Sequence, residues 1–292
     1  MGAMERIVDS LDTGLPLSEW LQRQFPAAPA GYLRQLLRKG RILADGRVAE
    51  ADLPTRRGMR VRLPDSRRLR EIAELAPALS ILRETDDWLA VNKPAGLAVH
   101  RTAGVDTDLT SLLRQLVRRR GDRYRLSPVH RLDRGTSGVI LFAKGHQAAG
   151  RLGKSLMAGL WRKTYLALAA GLAPPGGTLD QPLPIRGKIR PSRARFRRLA
   201  SRNGQSLLLL ELETGRTHQL RRQLAAAGWP ILGDRRYGVD APPLPPRPFL
   251  HCLRIELEDG QTLTAPLPRE LRDGLRQWLA SPDDGKGTGP TA

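Results

Sequence analysis

Residues Ser127-Pro-Val-His-Arg-Leu-Asp-Arg-Gly-Thr-Ser-Gly138 run directly into Val139-Ile-Leu-Phe-Ala143. Five apolar residues in succession, preceded by a glycine, have the length and composition of a strand buried on both faces. The segment before them holds one carboxylate, Asp133, between Arg131 and Arg134, with His130 and two glycines close by. Polar loops at element ends are where a rigid scaffold presents reactive groups. Taken singly, Asp133 reads as a solvated ion pair and His130 as an ordinary hydrogen-bonded histidine. The density of special residues against an apolar strand sets the stretch apart.

Working outward, strand and helix patterns alternate. Trp88–Val91 is an apolar strand run followed by the loop Asn92-Lys93-Pro94-Ala95-Gly96, and Tyr165–Ala169 and Leu207–Leu212 are two more strand runs. Leu109, Leu112, Leu113, Leu116 and Val117 have helical spacing, with Gly121 as the stop. Thr217 to Ala227 predicts a helix capped at Thr217 and closed by Gly228 and Pro230, and Leu271, Leu275 and Trp278 mark a last amphipathic helix. A Pro-rich loop spans residues 241–248. Together these predict an α+β domain over residues 80–280.

Upstream lies a smaller pattern. Leu17, Trp20 and Leu21, then Leu33, Leu36 and Leu37, predict two short helices on either side of Pro26-Ala-Ala-Pro29. Ile42–Val48 reads as a hairpin around Asp45-Gly46, and Gly58–Leu63 alternates as a strand. The expectation is a small α/β domain over residues 1–66, a polar linker over 67–79, and a disordered tail over 281–292.

The chain carries 49 Lys and Arg against 29 Asp and Glu, a net charge of +20 in 292 residues. Such an excess points to a polyanion, nucleic acid before an anionic membrane. No stretch approaches the length of an apolar membrane span and the start lacks a secretory pattern, so a soluble, cytoplasmic protein is expected. The one cysteine, Cys252, excludes an intramolecular disulfide and a multi-cysteine zinc site. With 4% aromatics, base stacking is not the main mode of binding. No Gly-rich phosphate loop is present, so no nucleotide cofactor is expected.

Two basic runs stand out: Arg118, Arg119, Arg120, Arg123 and Arg125, and then Arg186, Lys188, Arg190, Arg193, Arg195, Arg197, Arg198 and Arg202. The second has no acid between Leu183 and Leu210, and reads as a salt-sensitive phosphate-contact surface. A further polar cluster, Glu213-Thr-Gly-Arg216-Thr-His218-Gln-Leu-Arg221, sits at a strand-to-helix junction. Arg162-Lys163-Thr164-Tyr165 brings an aromatic ring to a strand end.

At these residues the resemblance becomes specific. His130-Arg-Leu-Asp-Arg-Gly-Thr-Ser-Gly138 resembles the HRLDxxTSG signature of the RluA-type pseudouridine synthases. Other matching pieces follow in the family's order: Val91-Asn-Lys-Pro-Ala-Gly-Leu97, Lys163-Thr-Tyr165, Gly215-Arg-Thr-His-Gln-Leu-Arg221, Gly233-Asp234 with Tyr237-Gly238, and Leu250-His251 before a final strand. The resemblance spans residues 81–278. Its opening His-Arg, rather than Gly-Arg, points away from the sister family that modifies mainly small-subunit ribosomal RNA. Tyr32 to Arg62, with Leu36-Leu-Arg-Lys-Gly-Arg41, is similar to the S-four RNA-binding domain, with Ala44-Asp45-Gly46 where that family has Val-Asn-Gly. Two departures are Arg222-Gln223, where the family continues Val-His, and Cys252, where Ala is common.

The resemblance implies a pseudouridine synthase fold: a central mixed, mainly antiparallel sheet flanked by helices, preceded by the small S-four-like domain. It also implies isomerisation of uridine, in which the C1′–N1 bond breaks and C1′ joins C5. No electron is transferred and no group is lost, so no cofactor and no metal are expected. By resemblance Asp133 is the catalytic carboxylate, acting at C1′, at C6 or on a sugar proton, with Arg221 as its charge partner. Tyr165 would stack on the uracil, Leu220 would line the other side, Arg131 would brace the gap left by a flipped base, and His130 would hold structure or RNA. RNA contacts fall to Arg34, Arg38, Lys39 and Arg41 in the first domain, and to Arg118, Arg119, Arg186, Lys188, Arg190, Arg195, Arg216 and His218 beyond it. The expected substrate is large-subunit (23S) ribosomal RNA, with transfer RNA the alternative, and the protein is expected to act as a monomer away from membranes. Two other readings stand beside this one. A metal-independent ribonuclease would use His130, His218 and an arginine, and would cut strands. A non-catalytic ribosome-assembly factor would bind RNA and leave its uridines unchanged.

Overall fold

The computed structural model describes residues 3–25, 28, 30–66, 69, 80–100, 108–185, 187–238 and 247–281. The expected linker apart from Leu69, the turn around residues 26–29 apart from Ala28, Arg186, residues 241–246 of the Pro-rich loop and the tail beyond Ser281 lie outside them. The chain divides into two compact units, Met1–Ile81 with Leu112–Tyr124, and Leu82–Ser111 with Arg125–Ala292. The boundary expected over residues 67–79 does not anticipate this grouping of 112–124 with the first unit.

In the first unit, strands β1 (Ala3–Ile7), β2 (Leu43–Ala44), β3 (Arg47–Val48) and β4 (Arg60–Pro64) form a sheet in the order β1-β4-β2-β3. Helices α1 (Leu17–Gln24) and α2 (Ala30–Arg38) carry Trp20, Leu21, Leu33 and Leu37, which are buried together with Phe25, Val61 and Leu63. In β4, Val61 and Leu63 face inward while Arg60 and Arg62 face out, the period-2 pattern that sets strand register. The Asp45-Gly46 turn has both residues at positive φ, and the Asp45 carboxylate accepts from the Arg60 N–H at 2.9 Å and from Arg56 at 2.7 Å. Strand β1, absent from the sequence reading, mixes charged and apolar residues on the sheet edge and gives little signal on its own.

The second unit is built on one large sheet. Its strands are β5 (Ser80–Glu84), β6 (Trp88–Lys93), β7 (Leu126–Pro128), β8 (Ser137–Lys144), β9 (Arg162–Ala170), β10 (Gly176–Leu179), β13 (Ala194–Arg202), β14 (Gln205–Leu212), β15 (Leu250–Glu256) and β16 (Thr262–Thr264). The path runs β10-β13-β14-β9-β15-β8-β6-β5, with β16 beside β15 and β7 beside β8. Strands β8 and β15 run parallel, while β6–β8, β9–β15, β9–β14, β13–β14 and β10–β13 are antiparallel. This is the expected mixed, mainly antiparallel α+β architecture. A separate short hairpin joins β11 (Leu183–Ile185) to β12 (Lys188–Arg190). The helices are α3 (Leu109–Arg120), which straddles the division between units, α4 (Gly145–Met157), α5 (Gln219–Ala226) and α6 (Arg269–Ala280).

Three sequence expectations shift. Leu250-His251 opens β15 instead of preceding a final strand. The basic run over 186–202 contains strand β13, whose Ala194 and Phe196 are buried while Arg195 and Arg197 are exposed. Thr217 is exposed and does not cap α5; His218 stands at the N-cap with a left-handed φ of 55°. The side-chain oxygen of Gln219 instead accepts from the Arg216 N–H at 3.0 Å and from the Thr214 hydroxyl at 2.8 Å.

The parallel pair β8–β15 places Ser137 opposite His251 and Gly138 opposite Cys252. His251 is fully buried; its Nε2 donates to the Ala265 carbonyl at 3.1 Å, so its Nδ1 accepts from the Ser137 hydroxyl at 2.9 Å. Gly138 has a φ of 119°, and a Cβ there would overlap the backbone of Cys252. Only glycine allows the two strands to approach this closely. Gly138→Ala should therefore lower the melting temperature strongly, combining overpacking of about 1–3 kcal/mol with backbone strain of about 1–3 kcal/mol. A melting temperature within two degrees or so of the parent would show that the strands separate without cost.

Candidate active site

The loop that leads into β8, the start of β9, the end of β14 and the N-terminal turn of α5 converge on one cavity of about 630 Å³. Asp133, Tyr165, Leu220, Arg221, His218 and Arg131 all line it. Sequence-distant motifs are thus brought together by the order β14-β9-β15-β8, which leaves only β15 between the Tyr165 strand and the strand that follows the Asp133 loop.

Arg221 is the central charge. Its Nε donates to Asp234 Oδ2 at 2.6 Å and its Nη2 to Asp234 Oδ1 at 2.8 Å, a bidentate pair around a fully buried carboxylate. Asp234 also accepts from the backbone N–H groups of Arg236 at 3.0 Å and Tyr237 at 3.3 Å. Nη1 of Arg221 faces Asp133 Oδ2 at a longer 3.4 Å. The sequence reading made Asp133 the partner of Arg221. The structure makes Asp234 the principal one and Asp133 the secondary one, because the guanidinium fork matches one carboxylate edge-on and has one nitrogen left over. Burial works against the charge of Arg221, but the Asp234 pair outweighs it and holds the guanidinium pKa above its ordinary value. Burial likewise opposes the Asp234 anion, and the same guanidinium with the two backbone donors keeps its pKa below the usual carboxylate value.

Around this pair, Tyr237 lies under the Arg221 guanidinium at 5.1 Å from the ring centroid, and its hydroxyl meets His218 Nδ1 at 3.1 Å. His218 Nε2 is 3.8 Å from Asp133 Oδ1. Burial, reinforced by Arg221 and Arg236, outweighs the pull of Asp133 and lowers the His218 pKa. Tyr165 and Leu220 are both buried and flank the cavity, and burial raises the Tyr165 phenol well above its ordinary range, so it remains neutral.

The loop that carries Asp133 is pinned on both sides. His130 Nε2 accepts from the Leu141 N–H at 3.1 Å, and the ring stands edge-on to Trp161. Burial, with the charge of Lys163 adding to it, pushes the His130 pKa down to about 3. A histidine held neutral, with that nitrogen committed to the backbone, is no general acid at neutral pH, which counts against the ribonuclease reading. On the other side Lys93, fully buried, donates to the carbonyls of Pro94 at 2.8 Å, Leu97 at 2.7 Å and Arg134 at 3.3 Å. Burial and the charge of Arg247 bring its pKa down to about 7 against the opposing pull of Asp133. Arg134 itself turns away, its Nε donating to Gly96 O at 2.8 Å, while Arg131 is exposed at the cavity.

The expected RNA contacts separate into groups. Arg216 and His218 line the cavity, and Lys188 and Arg190 are exposed on the β11–β12 hairpin. Arg195 is exposed but paired with Glu213 at 2.8 Å, and Arg193 faces the same carboxylate at 3.5 Å. The basic run is therefore not uncompensated, because antiparallel pairing brings the acids at the end of β14 beside β13. Arg198 donates to Ala173 O at 2.5 Å, and Arg202 to Leu279 O at 2.8 Å and to Ser281 O, so these two hold structure. In the first unit Arg34, Arg38, Lys39 and Arg41 are all exposed, on α2 and just beyond it. Arg118 is exposed; the Arg119 side chain and Arg186 lie outside the described residues. Among the described residues no group of three or more His, Cys, Asp or Glu is placed to hold a metal ion, and no helix is long and apolar enough to cross a membrane.

Two outcomes follow from these charges. Arg221→Met leaves Asp234 buried without its cation, so the unfolding free energy should drop by about 3–5 kcal/mol in urea titration; an unchanged value would mean that the backbone donors alone sustain Asp234. Acid should also destabilise the fold through its buried histidines. Burial, the first cause in each, sets the folded pKa of His130 at about 3 and of His251 at about 4, whereas the unfolded chain titrates near about 6.5. The unfolded state therefore takes up protons first. Stability is full above about pH 6.5 and is lost as pH falls toward the folded values, by up to about 1.4 kcal/mol per pH unit for each histidine. His251→Gln should shallow that slope between pH 6.5 and 4, and an identical slope would acquit His251.

The comparisons agree with this geometry. Residues 87–226 match the family model described as RNA pseudouridylate synthase. An uncharacterized RNA pseudouridine synthase of Chloroflexus aurantiacus is 35% identical over 93% of this chain and 92% of its own length. The ribosomal large subunit pseudouridine synthase C of Salmonella typhi is 30% identical over 89% of this chain and 92% of its own. In fold, the human RNA pseudouridylate synthase domain containing 4 matches with a TM-score of 0.60 and 23% identity, covering 68% of this chain and 92% of that one. A chain that shares its sequence over nearly full length with such relatives, and its fold with such a structure, belongs to the RNA pseudouridine synthases, the isomerases that convert uridine to pseudouridine in RNA.

Proposed function

We propose that this enzyme isomerises specific uridines of large-subunit ribosomal RNA in the cytoplasm, with Asp133 as its catalytic carboxylate. The observation that carries the reading is the placement of Asp133: at the cavity, with a side chain only 15% exposed, and facing a guanidinium that is itself locked to a second carboxylate. A buried carboxylate stays ionised only when paired. The 3.4 Å contact to Arg221 supplies the charge without engaging both oxygens, leaving Asp133 able to meet a substrate. The Salmonella relative's name supports large-subunit ribosomal RNA as the substrate.

A uridine in folded RNA must leave its stack to reach this cavity. Tyr165 and Leu220 then offer the two apolar walls for the uracil, and Arg131 at the cavity braces the place the base has left. The C1′–N1 bond breaks, the freed uracil turns, and C1′ bonds to C5. N1 ends with a proton and the hydrogen of C5 is released to solvent, so the atoms balance without any co-reactant. Asp133 supplies the carboxylate this exchange requires.

Asp133→Asn is nearly isosteric and should keep the fold, while its amide is a poor nucleophile and base. Tritium release from C5-labelled uridine in large-subunit ribosomal RNA should fall to background, with RNA retention on filters within a few fold of the parent. Release at the parental rate removes Asp133 from catalysis. Mapping pseudouridines in total RNA with and without the enzyme tests the substrate: new sites confined to transfer RNA would replace the ribosomal assignment.

A further inference from the structure

The β11–β12 hairpin presents three residues per strand, and β12, Lys188-Ile189-Arg190, is exposed throughout. Two short strands with so little buried surface do not hold a position by themselves. The hairpin is held instead by side chains from α5 and the turn that leads into it. Gln223 Nε2 donates to the carbonyls of Leu179 at 3.2 Å, Gln181 at 3.0 Å and Ser192 at 2.9 Å. Arg222 donates to Pro184 O at 3.1 Å, Arg216 to Pro191 O at 3.3 Å and Gln219 to Arg193 O at 3.1 Å. These carbonyls bracket the hairpin on both of its legs.

Gln223 is the most deeply buried of the four. It is 1% exposed, so water cannot replace it, and its single nitrogen shares two N–H groups among three carbonyls. Its own Oε1 is buried without a partner, a cost accepted at a residue whose donors are fully engaged. This is also the position at which the chain departs from the family's Val-His. An imidazole's two ring nitrogens point apart, so it cannot aim two N–H groups at converging carbonyls as an amide can. Arg221 lies two residues earlier on the same short helix, so the clamp ties the hairpin to the element that carries the site's central charge.

We propose that Gln223 is a positioning residue: by clamping the basic hairpin to α5 it fixes Lys188 and Arg190 at the spacing from the Asp133 cavity at which they bind the phosphates of the RNA around the target uridine. The inference rests on the synthase reading and adds to it a determinant of substrate binding.

The test compares three proteins with the parent: Gln223→Met, which keeps length and loses the donors; Lys188→Ala with Arg190→Ala; and the combination. Tritium release is followed on in vitro-transcribed large-subunit ribosomal RNA. Each change alone should raise KM by about threefold to tenfold, the size of one or two weakened polar contacts, with a smaller effect on kcat. Together they should raise it little further, since charges on a displaced hairpin no longer meet the phosphates. Trypsin should also cut after Lys188 faster in Gln223→Met than in the parent. Gln223→His, which keeps one ring N–H, should fall between the parent and Gln223→Met, and it carries the same comparison should the methionine variant fail to fold. Additive KM effects, a lowered melting temperature with KM unchanged, or unaltered trypsin cleavage would each overturn the proposal. If the parent itself releases no tritium from this RNA, the substrate assignment fails instead, and the cleavage rates still decide whether Gln223 holds the hairpin.

Discussion

A guanidinium enclosed beside a cavity stays charged, so the cost of its burial must be offset by a carboxylate that meets it squarely, and Arg221 has that carboxylate in Asp234. The anion accepts both N–H groups of one guanidinium edge and two backbone N–H groups besides, four donors in all. Arg221 thereby becomes a fixed cation, and its one remaining nitrogen is aimed at Asp133. The division of labour has a chemical logic. A reacting carboxylate bound bidentately would have both oxygens committed, whereas a single contact at 3.4 Å lends it positive potential and leaves an oxygen to work with. On the proposal that Asp133 reacts, the strong pair sits one step back from the chemistry and the weak pair at it.

The same reasoning governs the loop that holds Asp133. Lys93 and His130 are two groups beside it that burial drives toward their neutral forms, and each acts as a hydrogen-bonding pin. Lys93 ties the carbonyl of Arg134 to the Pro94–Leu97 turn, and His130 accepts from the backbone of β8. Gly138 then lets β8 run against β15 without a Cβ between them. Loop and sheet are thus tied to one another by hydrogen bonds to the backbone as well as by the buried Leu132 and the apolar run of β8.

How much of this was legible in the sequence depended on the range of the interaction. The Asp133 loop, the β8 run and the helices with leucines at helical spacing are local patterns, and they were read at nearly the right residues. Gly233-Asp234 and Tyr237-Gly238 were visible as motifs, but a lone aspartate carries no mark of its partner. The role of Asp234 appears only when α5 brings Arg221 to it. Gln223 was visible as a departure from a pattern, with no local feature to say that three carbonyls converge on it. Strands β12 and β13 are hidden because their basic residues alternate with few apolar ones, so the period-2 signal reads as a charge run, and β10 and β11 are too short and too rich in Gly and Pro to give a signal.

The excess of positive charge is sorted by this fold into groups with different duties. Arg221, Arg198 and Arg202 are engaged with buried carboxylates or backbone carbonyls, and Arg193 and Arg195 share Glu213. Lys188, Arg190 and, in the first unit, Arg34, Arg38, Lys39 and Arg41 are among the exposed remainder. A structural arginine neutralises no phosphate and releases no counterion when RNA binds. Composition therefore names the class of partner and overstates the contact, because the number of phosphates engaged follows from which arginines the backbone has left unclaimed. In this chain that sorting is done largely by α5 and its lead-in turn, which bind Asp234 with one side chain and the carbonyls around the basic hairpin with the others.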